Sequence, residues 1–129
     1  MNYQAAAASY KQVKNHSAVD SASPHKLIEM LFDGAVERVT QAKVAMQHKN
    51  MALKGNKING AINIINGLRE SLNHDEHDAS DIAANLDGLY EYITRILSRA
   101  HITNDENLLN EAMTLLSELG EAWKQISPA

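Results

Sequence analysis

The stretch "SASPHKLIEMLFDGA", residues 21–35, decides the fold, because it opens the first of several long amphipathic segments. Ser23 followed by Pro24 predicts a helix start, since a serine oxygen accepts bonds from free backbone amides and proline is pre-set to helical φ. The turns that follow are apolar over a wide arc: Leu27, Ile28, Met30, Leu31 and Phe32. Gly34 lies within the same helical pattern, where glycine costs about 1 kcal/mol relative to alanine. The apolar arc of this helix is wider than packing along one narrow seam requires.

Helical periodicity continues along the chain and predicts an all-α fold. Four helices are expected, over residues 23–48, 51–72, 80–100 and 103–127. Thr103 and Glu106 have the spacing of a capping box at the start of the fourth helix. No alternating β-branched run and no hairpin dipeptide between apolar runs indicates a strand. Because the connections span only about two to seven residues, we expect an antiparallel up-down four-helix bundle.

The first twenty residues differ from the rest of the chain. The alanines of "AAAASYKQV" favour a helix, but apart from Tyr3, Tyr10 and Val13 there is little to bury, and the polar "NHSAVDSAS" interrupts any helix. We therefore predict a short, mobile N-terminal arm over residues 1–20, either flexible or docked on the bundle, and a helical bundle domain over residues 21–129.

Composition excludes several classes of protein. The 129 residues are enough for one domain with a sizeable core, and the absence of cysteine excludes disulfides and thiolate chemistry. No apolar run approaches the roughly 18 residues of a membrane span, and the N-terminus lacks the pattern of a secretory signal. These features together predict a cytoplasmic protein.

Charge is distributed unevenly between the two halves of the chain. Residues 1–64 carry eight Lys and Arg against four Asp and Glu, a net +4, whereas residues 65–129 carry four against twelve, a net −8. The lysines are scattered rather than concentrated on one face, so a nucleic-acid partner is not expected.

Residues that could carry chemistry are few. The cluster "NHDEHD", residues 73–78, places His74 and His77 three positions apart among carboxylates. It falls where the second helix ends, without a second histidine pair, so a solvated acidic turn explains it better than a metal site. A di-iron bundle needs Glu-x-x-His on two helices, and no glutamate here has a histidine three positions later. We expect no metal, no cofactor and no enzymatic activity.

The apolar surplus remains to be explained. A bundle helix needs about three inward apolar positions per heptad. Helices one to three exceed this with Ile28, Phe32, Val36, Ile64, Tyr90 and Tyr92. Two interpretations stay open: a thick core, or grooves between helices that receive an external segment.

Several segments, in order over nearly the whole chain, carry a family resemblance. They are "SYKQV" (9–13), "SPHKLIEMLFDGA" (23–35), "AINIINGL" (61–68), "LYEYITRIL" (89–97), "ITND" (102–105) and "AWKQI" (122–126). Together they resemble the FliS family of flagellin export chaperones. Two positions depart from the family pattern: Ile96 stands where a second arginine is common, and His101 where asparagine is frequent.

The resemblance implies a non-enzymatic cytosolic chaperone. Such a protein binds the disordered C-terminal segment of flagellin, one client per chain, in hydrophobic grooves between helices. It prevents premature filament polymerisation and delivers the subunit to the gate of the flagellar type III export apparatus. The chaperone itself resides at the apparatus only transiently. An anti-sigma factor or another flagellar regulator is a further candidate partner, and no membrane insertion is implied.

The predicted client groove takes its residues from the wide apolar arcs. It comprises Ile28, Leu31, Phe32, Ala35, Ile62, Ile65, Tyr90, Ile93, Leu97 and Trp123. On the first helix we expect Leu27 and Leu31 to face the core, and Ile28, Phe32 and Gly34 to face the client. By the same resemblance, Tyr10 and Val13 belong to an arm that covers the groove in the free protein. The alternative is a structural bundle that associates with itself through these arcs.

Overall fold

The structure, a computed structural model, describes residues 22–72 and 80–126. It contains four helices in these ranges: α1 (Pro24–Gln47), α2 (Met51–Glu70), α3 (Ser80–Thr103) and α4 (Glu106–Gln125). The described ranges contain no strand, so the predicted all-α class is confirmed. The N-terminal arm and its boundary at residue 20 lie outside the described residues.

The helices form an antiparallel up-down bundle, as predicted. Each helix packs against the next one along the chain, and α4 closes the ring by packing against α1. The start of α1 meets the end of α4, where His25 stacks on Trp123, and the end of α1 meets the start of α4, where Gln47 bonds to Glu106 at 2.5 Å. This order places the α1/α2 seam on the opposite face from the α3/α4 seam.

One continuous core runs through the bundle. Its largest fully buried side chains are Ile28, Leu31, Ile58, Ile64, Ile65, Leu68, Ile93, Leu97, Leu109 and Leu116. Small residues buried between them, Ala35, Ala42 and Ala61, let neighbouring helices approach closely. At about 1.5–3 kcal/mol for each fully buried Leu or Ile, this core is the main favourable term in folding.

A buried lysine joins α2 to the end of α3. The Lys54 side chain is 3% exposed, and its Nζ donates to the His101 carbonyl at 2.9 Å and to Oδ1 of Asn104. A cation here satisfies carbonyls left free at the helix C-terminus and complements the helix dipole. At the other end of the same seam, Arg69 Nε donates to Asp87 Oδ1 at 2.8 Å, and this hydrogen bond raises the pKa of Arg69.

The helix starts confirm one sequence prediction and correct another. Ser23 caps α1, since its Oγ accepts from the Lys26 amide at 3.1 Å. The predicted Thr103–Glu106 capping box is wrong: Thr103 is the last residue of α3, and its hydroxyl donates to the Arg99 carbonyl at 2.7 Å. Asp105 caps α4 instead, and its carboxylate accepts from the Asn107 amide at 2.9 Å.

Both short turns end their helix with a left-handed residue that is not glycine. Lys49 has φ 58° and Asn104 has φ 54°. The amide that follows each one donates back to the helix, Asn50 to the Ala45 carbonyl at 2.9 Å and Asp105 to the Ala100 carbonyl at 3.3 Å. This is the hydrogen-bond pattern of a Schellman motif, in which glycine is the preferred left-handed residue. It also explains why α4 starts later than predicted, because Asn104 turns the chain before Asp105.

We predict that Lys49→Gly stabilises the bundle. A left-handed conformation costs a non-glycine residue about 1–2 kcal/mol, and glycine removes this cost. Part of the gain is lost, because glycine also gives the unfolded chain more conformational freedom. The free energy of unfolding, measured by urea titration with circular dichroism, should therefore rise by about 1 kcal/mol or slightly less. Lys49→Ala is the control and should give no such gain. An equal gain from both variants would mean that the lysine side chain, not the backbone, carries the penalty.

Candidate binding grooves

The structure places most of the predicted client-binding residues inside the core. Those buried are Ile28, Leu31, Phe32, Ala35, Ile65, Tyr90, Ile93 and Leu97, while Ile62 and Trp123 are partly buried against them. Burial raises the pKa of the Tyr90 phenol. The fold therefore brings the predicted client-binding residues together, but as parts of one hydrophobic core and not as the lining of an open groove. The arm residues Tyr10 and Val13 lie outside the described residues, and so do His74 and His77.

The expectation that Ile28, Phe32 and Gly34 face outward is corrected by the structure. Ile28 is 1% exposed and Phe32 4%, and Gly34 is also buried. The reason is that α1 packs against α2 on one side and α4 on the other, so its apolar arc must be wide enough for two partners. A thick core accounts for the surplus on this helix. Direct contact between these side chains and a client stays a prediction.

An open groove lies instead along the α1/α2 seam, near the turn that joins the two helices. Its volume is about 460 Å³, and it is lined by Thr40, Gln41, Val44, Ala45, His48, Asn50, Leu53 and Lys57. Val44 and Leu53 are 46% and 42% exposed, an unusual state for large apolar side chains that share one groove. Neighbouring exposed apolar side chains of this kind are typical of protein interaction sites. We call this surface the α1/α2 groove.

Sequence reasoning missed Val44 and Leu53. Neither residue belongs to the inward stripe of its helix, and the prediction followed the inward stripes. One signal in the sequence could have identified them: each is an apolar residue outside the inward stripe of its helix, and the two lie on either side of a short turn. Such a turn brings them onto one surface.

A smaller cavity lies on the α1/α4 seam. It measures about 140 Å³ and is lined by Phe32, Asp33, Val36, Leu116, Ser117, Gly120, Glu121 and Lys124. A Cβ on Gly120 would lie 3.1 Å from the Cβ of Phe32, so glycine is what permits this close approach of α4 to α1. Lys124 Nζ lies 3.3 Å from Asp33 Oδ1 across the rim, and this contact raises the pKa of Lys124.

Trp123 closes the end of the α1/α4 seam. Its ring stacks on His25 with centroids 4.7 Å apart and planes 15° from parallel, and its Nε1 donates to the His25 carbonyl at 2.9 Å. The last turn of α4 is thereby fixed to the first turn of α1. Because the chain has one tryptophan, its fluorescence reports on this contact alone.

A third groove follows the α3/α4 seam and is more polar. Its volume is about 380 Å³, and it is lined by Tyr92, Arg95, Ile96, Arg99, Asp105 and Leu108. The Tyr92 hydroxyl donates to the Glu111 carboxylate across the seam, which raises the pKa of Tyr92.

Residues 22–72 and 80–126 contain neither a metal-ligand cluster nor a membrane-spanning helix. Among the residues that the structure describes, no three His, Cys, Asp or Glu side chains are placed to hold a metal ion. Within the same ranges, no helix is both long and apolar enough to cross a lipid bilayer.

Comparison with known proteins identifies relatives of this chain. The family model described as "Flagellar protein FliS" matches residues 6–129. The flagellar secretion chaperone FliS of Salmonella typhimurium is 48% identical over 120 residues, which cover 92% of this chain and 87% of that protein. That of Vibrio cholerae is 40% identical over 119 residues (92% and 86%). The flagellar secretion chaperone FliSB of Pseudomonas aeruginosa is 43% identical over 118 residues (92% of each).

Two glycine variants test the packing of the α1/α4 seam. Gly88 on α3 has no atom within 4 Å of an added Cβ, so Gly88→Ala should raise the free energy of unfolding by about 1 kcal/mol through helix propensity. Gly120→Ala gains the same propensity term, but it forces α4 away from Phe32, an overpacking cost of about 1–3 kcal/mol. Urea unfolding should therefore rank Gly120→Ala at least about 1 kcal/mol below Gly88→Ala. Equal stabilisation by both changes would show that the seam is looser than the structure has it.

Proposed function

This chain belongs to the FliS family of flagellar secretion chaperones, and from that premise we propose that it is the cytoplasmic export chaperone of flagellin. In this proposal it binds the disordered C-terminal segment of flagellin, one flagellin per chain, and prevents premature polymerisation. It then delivers the subunit to the gate of the flagellar type III export apparatus. The observation that carries the proposal is an exposed apolar groove on a bundle whose own core is already complete.

The α1/α2 groove is the first candidate for client contact. A segment that folds on binding must bury about 1,000–3,000 Å² to offset its loss of conformational freedom. One groove of this size is too small for that, so the client must cross more than one seam. Helix α1 borders both the α1/α2 groove and the α1/α4 cavity, and a client that follows α1 on both sides would bury more area than one groove allows.

The predicted core residues have a place in the same proposal. Phe32 lines the α1/α4 cavity, and Trp123 closes its end, so a client there would touch them at their accessible edges. Ile28, Leu31, Ala35, Ile65, Tyr90, Ile93 and Leu97 would act mainly by holding the groove walls in position. We further propose that the arm, with Tyr10 and Val13, covers client surface in the free protein, and that a flagellar regulator is an additional partner.

Self-association is the second candidate function, favoured by one observation. Ile102 near the end of α3 is 79% exposed, on the opposite face from the exposed Val44 and Leu53 at the same end of the bundle. The Ile102 face of one copy could cover the α1/α2 groove of another. A homodimer formed without any client would support this reading, and a monomer that binds flagellin would refute it.

Substitutions in the α1/α2 groove test the proposed client site. Because Val44 and Leu53 are half exposed, Val44→Asp and Leu53→Asp should leave the thermal midpoint close to wild type. Either change should weaken the binding of monomeric flagellin by about tenfold or more, since a charge replaces an apolar contact. Isothermal titration calorimetry on the purified chain measures this directly.

Two further variants serve as controls. Ile82→Asp introduces the same charge at an exposed site near the start of α3, at the other end of the bundle, and should bind flagellin like wild type. Ile28→Asp buries a charge in the core and should unfold the bundle. Wild-type affinity in both groove variants would exclude the α1/α2 groove as client site.

A further inference from the structure

The α3/α4 groove differs from the α1/α2 groove in position and in charge. Both lie at the same end of the bundle, because the start of α2 packs on the end of α3 through Lys54 and His101. They face opposite directions, because the ring order of the helices puts the two seams on opposite faces. A partner in one groove therefore leaves the other accessible.

Two arginines stand one turn apart on the rim of the α3/α4 groove. Arg95 Nη2 lies 3.4 Å from Glu91 Oε2, a long contact between exposed groups, and its guanidinium lies 5.6 Å from the centre of the Tyr92 ring. Arg99 is exposed, and within the described residues its guanidinium has no hydrogen bond or ion pair. The nearby Asp105 carboxylate already accepts from the Asn107 amide as the cap of α4. The rim thus presents guanidinium donors that this chain leaves largely unused.

Apolar side chains accompany these donors. Ile96 and Leu108 also line the groove, and the highly exposed Ile102 follows Arg99 by three residues, on the same helix face. This surface combines an apolar side chain with arginines. A partner segment would complement it with an apolar residue flanked by carboxylates. Arginine suits such a partner because its planar guanidinium can hold a carboxylate through two parallel hydrogen bonds.

We propose that the surface formed by Tyr92, Arg95, Arg99 and Ile102 is a second docking site, for an acidic amphipathic segment of another protein. It is separate from the α1/α2 groove, so it accepts that segment while the chaperone carries its client. The simultaneous occupancy rests on the proposed function, whereas the docking site itself does not. A chaperone with two opposed sites holds its cargo and a second protein at once.

The test uses a designed peptide as probe. It is an amphipathic helix of about 16 residues with leucines on one face flanked by glutamates, compared with a copy in which glutamine replaces every glutamate. The isotope-labelled full chain is titrated with each peptide, with and without saturating monomeric flagellin. Amide chemical shifts give the location of binding and its affinity.

We expect the acidic peptide to shift the amides of Tyr92, Arg95, Arg99 and Ile102, equally with and without flagellin. Arg99→Glu, at an exposed site, should weaken binding by about tenfold or more, and so should the glutamine peptide. Lys57→Glu is the matched control: it makes the same charge change in the α1/α2 groove, at the same end of the bundle, and should leave peptide affinity within about twofold.

Three results would overturn the inference. They are shifts confined to the α1/α2 groove, displacement of the peptide by flagellin, and absence of binding by the wild-type chain. Mutual burial of this surface in a homodimer would also appear as absence of binding. Flagellin binding is read in the same samples: a chain that binds the peptide on α3 but not flagellin keeps the docking site and refutes the proposed function.

Discussion

The rest of the structure depends on the double packing of α1 against α2 and α4. Ile28, Leu31 and Phe32 are buried because both neighbours cover them, and Gly120 is needed because a Cβ there would press on Phe32. Once α1 is fixed in this way, the short turns at Lys49 and Asn104 leave only an up-down ring for α2, α3 and α4. The width of the first apolar arc is thus a requirement of the fold.

This constraint also determines where a partner can bind. The described helices bury most of their apolar side chains in a shared core, and Val44 and Leu53, which share a groove, are excluded from that core by their position on the helix. Helix α1 borders two seams, and in the proposed function a disordered client segment follows both of its sides.

Much of the fold could be predicted from the sequence, because it depends on local signals. Helical periodicity indicated four helices, and Ser23 with Pro24 marked the start of the first. The start of α4 could not be predicted, because Thr103 has the sequence pattern of a capping residue but the left-handed turn at Asn104 ends α3 there instead. The grooves were missed for another reason: periodicity identifies an apolar face, but it does not show how many neighbouring helices that face must cover. The family could be recognised from the order of its segments, whereas the candidate grooves required the packed bundle.

The most direct measurement is calorimetric titration of the purified chain with a peptide of the C-terminal segment of its own flagellin, followed by size exclusion. Burial of apolar surface in the seams gives a large negative change in heat capacity on binding. We expect a complex of one peptide per chain with such a change, formed by an otherwise monomeric protein. A chain that elutes as a dimer and binds no peptide would refute the chaperone function, and would assign the exposed apolar residues to contacts between copies.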